Sequence, residues 1–262
     1  MTSGDLKDIS DGFLKIQTAI WLAGEDMRTR YTRTALGPWW GVLSNVMFVF
    51  AIGITFGALF KLPLQTFLPY VAASMACWTF ISSTIVEAPL SVVRGAGIVT
   101  SYPIPLSTMA IRTVADKFAL FAHFIVVYAA LALYFKVPLT ALSLAMFIPA
   151  IVVYAVAGYG LALGLGMLGA RYRDITPALG AVISLIFMVT PIFWQKIGMT
   201  EQTHWMIDIN PFYHFIEIGR APLLGYYATT TNWIVSVGVA LGLVAVSLLI
   251  FTSMRRKIYY WM

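Results

Sequence analysis

The sequence predicts an all-α integral membrane protein with six transmembrane helices, an N-terminal amphipathic interface helix and re-entrant half-helices before the last span. Three observations predict it. Of 262 residues, 60% are hydrophobic and 11% charged, with mean hydropathy +0.84, where an ordinary soluble domain carries roughly 25% charged residues. Uncharged runs recur at the length a bilayer demands, because a helix rising about 1.5 Å per residue needs roughly 20 residues to cross about 30 Å of hydrocarbon. Lysine and arginine concentrate on alternate connections between those runs.

The first run covers residues 38–60 and the second 62–86, with Lys61 alone between them, so their connection must be tight. The third, 118–135, is shorter and carries His123. The fourth, 137–170, is longer than a bilayer needs, so it must tilt, kink or project, with Pro149 as the expected kink. The fifth is 175–195 and the sixth 233–253. Six spans put both termini on one side. With those termini cytoplasmic, thirteen Lys and Arg face inward, and Lys61, Lys136, Lys196 and Arg220 face outward, the positive-inside pattern. The net charge of +6 is therefore a topology signal, and nucleic acid is not an expected partner. Residues 1–262 read as a single membrane domain: 1–37 a cytoplasmic amphipathic helix and basic segment, 38–253 the six-span region, 254–262 a cytoplasmic tail.

Upstream of the first span, Ile9, Phe13, Ile16, Ile20, Ala23 and Met27 recur at steps of three and four, with Asp11, Lys15, Thr18 and Asp26 elsewhere on the wheel. Such a helix lies in the membrane plane, sits in a partner's groove or packs on its own protein as a surface helix. The stretch that follows, RTRYTRTALGPWW, sets Arg28, Arg30 and Arg33 against Trp39 and Trp40. One reading is a positive-inside anchor with interfacial aromatics. The other is a phosphate site, for which forked guanidinium donors are suited.

Between spans two and three, Gly95, Gly97, Pro103 and Pro105 break residues 89–117 into short pieces that turn and re-enter, either a docking element or an ordinary loop. The fourth span carries Gly160 and Gly164 in Gly-x-x-x-Gly spacing, which permits close helix contact within the subunit or across a dimer. In NPFYHFIEIGRAPLLG, Asn210 is an N-cap and Pro211 a first helical residue, while Gly219, Pro222 and Gly225 interrupt the helix, giving two half-helices. The tail RRKIYYW adds Arg255, Arg256 and Lys257 as interface anchors.

Enzyme chemistry has no motif here. No lysine follows a glycine, so there is no phosphate-binding Gly-Lys-Ser/Thr, and no serine lies in Gly-x-Ser-x-Gly. His123, His204 and His214 form no close pair, and Cys77 has no intrachain partner, so neither a metal site nor a disulfide is expected. The first fifteen residues contain three aspartates and lack a signal-peptide core. The span centres hold no carboxylate, Glu87 and Asp116 lying near predicted ends, which disfavours coupling to an ion gradient.

The order of an amphipathic helix, RYTRTALGPWWGVL, six spans, TPIFW, NPFYHFIEIGRAPLLG and RRKIYYW resembles the transmembrane subunit of an ABC-2 type exporter, in the branch that exports O-antigen and related surface polysaccharides. The likeness extends over nearly the whole chain. It implies a homodimeric channel in the bacterial inner membrane joined to two ABC ATPase subunits, which bind the ATP and Mg that this chain has no motif for. It further implies a polyprenyl-diphosphate-linked glycan as substrate, with Arg28, Arg30 and Arg33 as candidates for the diphosphate. Arg94, Ile98, Tyr102, Pro103 and Pro105 become candidates for ATPase contact. Relatives are often more basic before the Tyr-Pro, where this chain has Thr100 and Ser101. An ABC-2 exporter of teichoic acid or a small drug is the alternative, and a membrane enzyme acting on a lipid phosphate a more distant one.

Overall fold

The computed structural model describes residues 3–37, 39–194 and 205–261, and every regular element among them is helical. The chain opens with α1 (Ser3–Leu14) and α2 (Ile16–Tyr31), separated at Lys15, so the expected amphipathic helix is two. The next helices are α3 (Trp39–Leu59), α4 (Leu64–Glu87), the short α5 (Ser91–Arg94) and α6 (Ala96–Ser101), then α7 (Ser107–Tyr134) and α8 (Ala141–Arg171). After them come α9 (Ile175–Val189), α10 (Trp205–Asp208), α11 (Pro211–Leu223) and α12 (Thr230–Met254). A 3-10 turn over Arg255–Tyr260 ends the described chain.

Among the described residues five helices are long and apolar enough to cross a membrane, namely α3, the α4–α6 segment, α7, α8 and α12 with its extension. The fifth expected span contains α9, whose fifteen residues extend about 22 Å and fall short of a bilayer core; residue 195 lies outside the described residues. Ion pairs from Arg255 to Asp5 (3.3 Å) and Asp8 (3.1 Å) bring the two ends of the chain together at one end of the bundle.

The third span departs most from expectation. Its helix begins at Ser107, eleven residues before the uncharged run, so Arg112, Asp116 and Lys117 belong to the first three turns of α7. Their charges are matched by side chains from other helices, which removes the cost that would otherwise end an apolar helix there.

Helix α4 forms the centre, buried along most of its length. Phe80 stacks on Tyr154 of α8 (centroids 5.4 Å, planes 15° apart) and contacts Phe118 of α7 at 4.6 Å. Helix α8 runs unbroken through Pro149. Its glycines face its own subunit: a Cβ on Gly160 would lie 2.9 Å from the Val244 nitrogen of α12, and one on Gly164 would lie 2.9 Å from Ser247 Cβ. The Gly-x-x-x-Gly spacing thus serves the α8–α12 contact inside one chain. Gly166 and Gly169, a little further along, give the same close approach to Ser91 and Pro89.

Candidate functional site

At the end of the bundle that holds both termini, α1 and α2 are bound to α7 by polar contacts. Asp8 of α1 accepts hydrogen bonds from the backbone nitrogens of Leu106 (3.2 Å) and Ser107 (3.0 Å), capping α7 from another helix. Helix α7 has no side-chain cap of its own, and a carboxylate at its N-terminus also complements the helix dipole. Asp26 of α2 holds Arg112 through two bonds, Nε at 2.6 Å and Nη2 at 2.5 Å. Gly12, Ala19 and Ala23 fit where α1 and α2 meet the bundle. The protein-facing side is therefore acidic and small. The large apolar residues Phe13, Ile16 and Ile20 stay about half exposed over an apolar groove of about 660 Å³ shared with α7, α8 and α12.

Next to this junction five charges converge. Lys117 is almost fully buried, with its ammonium 2.7 Å from Glu87 and 2.9 Å from Asp116. Arg30 of α2 reaches Asp116 at 3.0 Å and Glu87 at 3.8 Å, while Arg94 of α5 reaches Glu87 at 2.7 Å. Burial opposes the charge on Arg30, but the Asp116 and Glu87 carboxylates outweigh it and hold the guanidinium above the ordinary arginine range. Glu87 is thus shared by α2, the α5 segment and α7.

The three arginines expected to form one phosphate site are not brought together. Arg30 is turned to the carboxylates, and Arg28 pairs with Glu25 at 3.2 Å on the surface. Arg33 is exposed and has no ion pair among the described residues. Of the other expected contact residues, Arg94, Tyr102 and Pro103 are exposed, with Ile98 and Pro105 half-buried. The Pro103 carbonyl accepts from Lys15 Nζ at 2.5 Å, fixing this segment to the turn between α1 and α2. Trp39 and Trp40 are half exposed, as interface residues would be. Arg256 and Lys257 are exposed, whereas Arg255 is engaged by Asp5 and Asp8 and so fastens the tail to α1.

The opposite end carries a polar group on the stretch expected to form two re-entrant half-helices on the outer side. Helix α11 is capped as expected: Asn210 Oδ1 accepts from the Phe212 nitrogen (3.0 Å) and Pro211 takes the first turn. It runs unbroken through Gly219 and Pro222 as one buried helix, where two half-helices were expected. Gly219 lies against Tyr154 and Cys77, a close approach that a larger residue would prevent. Arg220 is fully buried and pairs with Glu217 one turn earlier. It also donates to Tyr70 Oη (2.7 Å), Ser74 Oγ (3.1 Å) and the Pro191 carbonyl (2.9 Å), and lies 4.4 Å over the Tyr70 ring. Four acceptors and a ring face compensate the desolvated guanidinium. The signal was available as a Glu and an Arg at i, i+3 within an apolar stripe, but nothing local told two interrupted half-helices from one buried helix.

Among the described residues no group of three metal-ligating side chains converges. The structure defines a polytopic helical membrane protein with a charged junction at one end and a short buried helix at the other. The chain belongs to the ABC-2 type transporter family, whose sequence profile matches residues 18–224. It is thus a membrane permease subunit of an ABC transporter, a transport component whose family membership implies an ABC ATPase partner. No curated protein matches the chain.

Proposed function

We propose that the chain forms the channel of an ATP-driven exporter that moves a polyprenyl-diphosphate-linked, O-antigen-like polysaccharide from the cytoplasm across the bacterial inner membrane, as a homodimer with two ATPase subunits. Family membership supports export, and the motif order from the arginine stretch through NPFYHFIEIGRAPLLG to RRKIYYW supports this branch. The observation that carries the mechanism is the shared Glu87. Arg94 on the exposed segment suited to an ATPase and Arg30 on the basic segment suited to a lipid head both bind it. Displacement of α5 and α6 by a partner therefore reaches α2 through one carboxylate. Glu217, the carboxylate buried toward the other end, is neutralised by Arg220, which supports an energy source in trans over proton coupling.

The lipid diphosphate meets Arg33 and Arg28 in this reading: Arg33 is exposed with no ion pair among the described residues, and Arg28 pairs only with Glu25 on the surface, whereas Arg30 is held by Asp116 and Glu87. Aromatic rings and small polar groups along the channel suit a glycan, because they accept sugar C–H faces without fixing one orientation. Cysteines at Ile98 or Tyr102, in a Cys77→Ala background, are expected to crosslink to the ATPase in isolated membranes. A complex that forms as efficiently after residues 94–105 are scrambled would refute this contact.

A further inference from the structure

A cavity of about 350 Å³ opens at the end of the bundle opposite the termini, between the first turns of α4, the α7–α8 connection and the turn after α11. Gln65, Thr66, Tyr70, Lys136 and Tyr226 line it. The cavity under α1 and α2 has an almost wholly apolar lining, whereas this one sets aromatic side chains beside an amide, a hydroxyl and an ammonium. Gln65 and Lys136 are exposed, and their side chains have no hydrogen-bond partner among the described residues. A ligand meeting both kinds of surface must alternate C–H faces with hydroxyls, as a pyranose ring does.

The walls are built to hold their shape. Tyr70 cannot turn freely, because Arg220 stacks on its ring and bonds its hydroxyl. Gly225, in the left-handed conformation (φ +85°), lets the Tyr226 turn close on the α7–α8 connection, where any Cβ would run into the Pro138 carbonyl. Lys136, at the left-handed position that ends α7 (φ +53°), brings its ammonium to the rim. The volume lies at the small end of the range of about 300–1,000 Å³ for small-molecule sites and suits one sugar ring with part of its neighbour.

We infer that this cavity is an exit-side subsite for a pyranose residue of the glycan, resting on the export reading above. Tyr226 offers a C–H stacking surface, Tyr70, held by Arg220, forms a fixed wall, and Gln65, Thr66 and Lys136 bond ring hydroxyls. Thr66 Oγ1 already donates to the Pro63 carbonyl, so it acts as an acceptor. Binding to one ring must be weak, since an exit site has to release what it holds.

Saturation-transfer NMR on the chain assembled with its ATPase in lipid nanodiscs tests this, using methyl α-glycosides of glucose, mannose, galactose and galacturonic acid as probes. Transfer to ring protons of at least one probe is expected, with a three- to tenfold weaker interaction, on the order of one lost aromatic contact, in Tyr226→Ala. Gln65→Ala, at an exposed first-turn position, should also weaken it while keeping the unfolding midpoint. Leu14→Ala, at the other end, should change nothing. Absence of transfer from every probe on folded complex overturns the subsite, as does a signal unchanged in both Tyr226→Ala and Gln65→Ala. Probe binding by a chain whose deletion leaves surface glycan intact would sink the export reading, and with it the exit-side role, while leaving a sugar-binding cavity. Normal export without probe binding would sink the subsite alone.

Discussion

Gly160→Ala adds one methyl group where α12 leaves no room for it. The new Cβ would lie 2.9 Å from the Val244 nitrogen and 3.0 Å from the Leu243 carbonyl carbon. Both are backbone atoms, so a side-chain rotation cannot relieve the contact and α8 and α12 must separate. Overfilling a close contact costs about 1–3 kcal/mol, while alanine gains up to about 1 kcal/mol over glycine as a helix former. Gly180→Ala isolates that gain, because nothing lies within 4 Å of its added Cβ. The difference between the two variants, measured as thermal unfolding in nanodiscs, should be about 1–3 kcal/mol, at roughly 2–4 °C per kcal/mol for a chain of this size. Gly164→Ala meets the Ser247 Cβ at 2.9 Å and Cα at 3.2 Å, so adding Ser247→Gly should restore part of its loss. Equal stability of Gly160→Ala and Gly180→Ala would refute a close α8–α12 contact inside one subunit.

Asp26→Asn should weaken the hold of α2 on Arg112 by about 1–2 kcal/mol, less than a fully buried pair because Asp26 is one-third exposed, and should speed protease cleavage within 16–31. Arg33→Lys keeps the positive charge, so membrane abundance should survive while export and substrate-stimulated ATPase fall, with Arg33→Ala worse. Normal export by Arg33→Lys at matched complex levels would return this residue to an anchoring role. Cysteines at Ser3 and Thr200 in a Cys77→Ala background should label from opposite faces of the membrane, and labelling of both from outside would overturn cytoplasmic termini.

What was legible in the sequence is what local pattern carries. Uncharged runs marked α3, α4, α8 and α12 to within a few residues, and Asn210-Pro211 marked the start of α11. The glycine spacing marked a close contact but not its partner, since α8 and α12 are about eighty residues apart in sequence. Charge misled twice. Asp116 and Lys117 looked like loop residues, yet they neutralise each other and bind Glu87 and Arg30 inside a helix end. Arg220 counted as an outward-facing charge, yet Glu217, Tyr70 and Ser74 bury it. The wheel of the N-terminal segment found its apolar stripe but not that Asp8 and Asp26 face the protein. Each miss depends on a partner some thirty to 150 residues away, which periodicity does not encode.

The most direct test of glycan export is reconstitution. Proteoliposomes containing the chain and its ATPase, loaded from the ATPase side with polyprenyl-diphosphate-linked glycan, should render that glycan accessible to a lumen-trapped glycosidase in an ATP-dependent manner, and liposomes lacking either subunit should not. Equal accessibility with and without ATP, or ATP-dependent transfer by the ATPase in the absence of this chain, would contradict it.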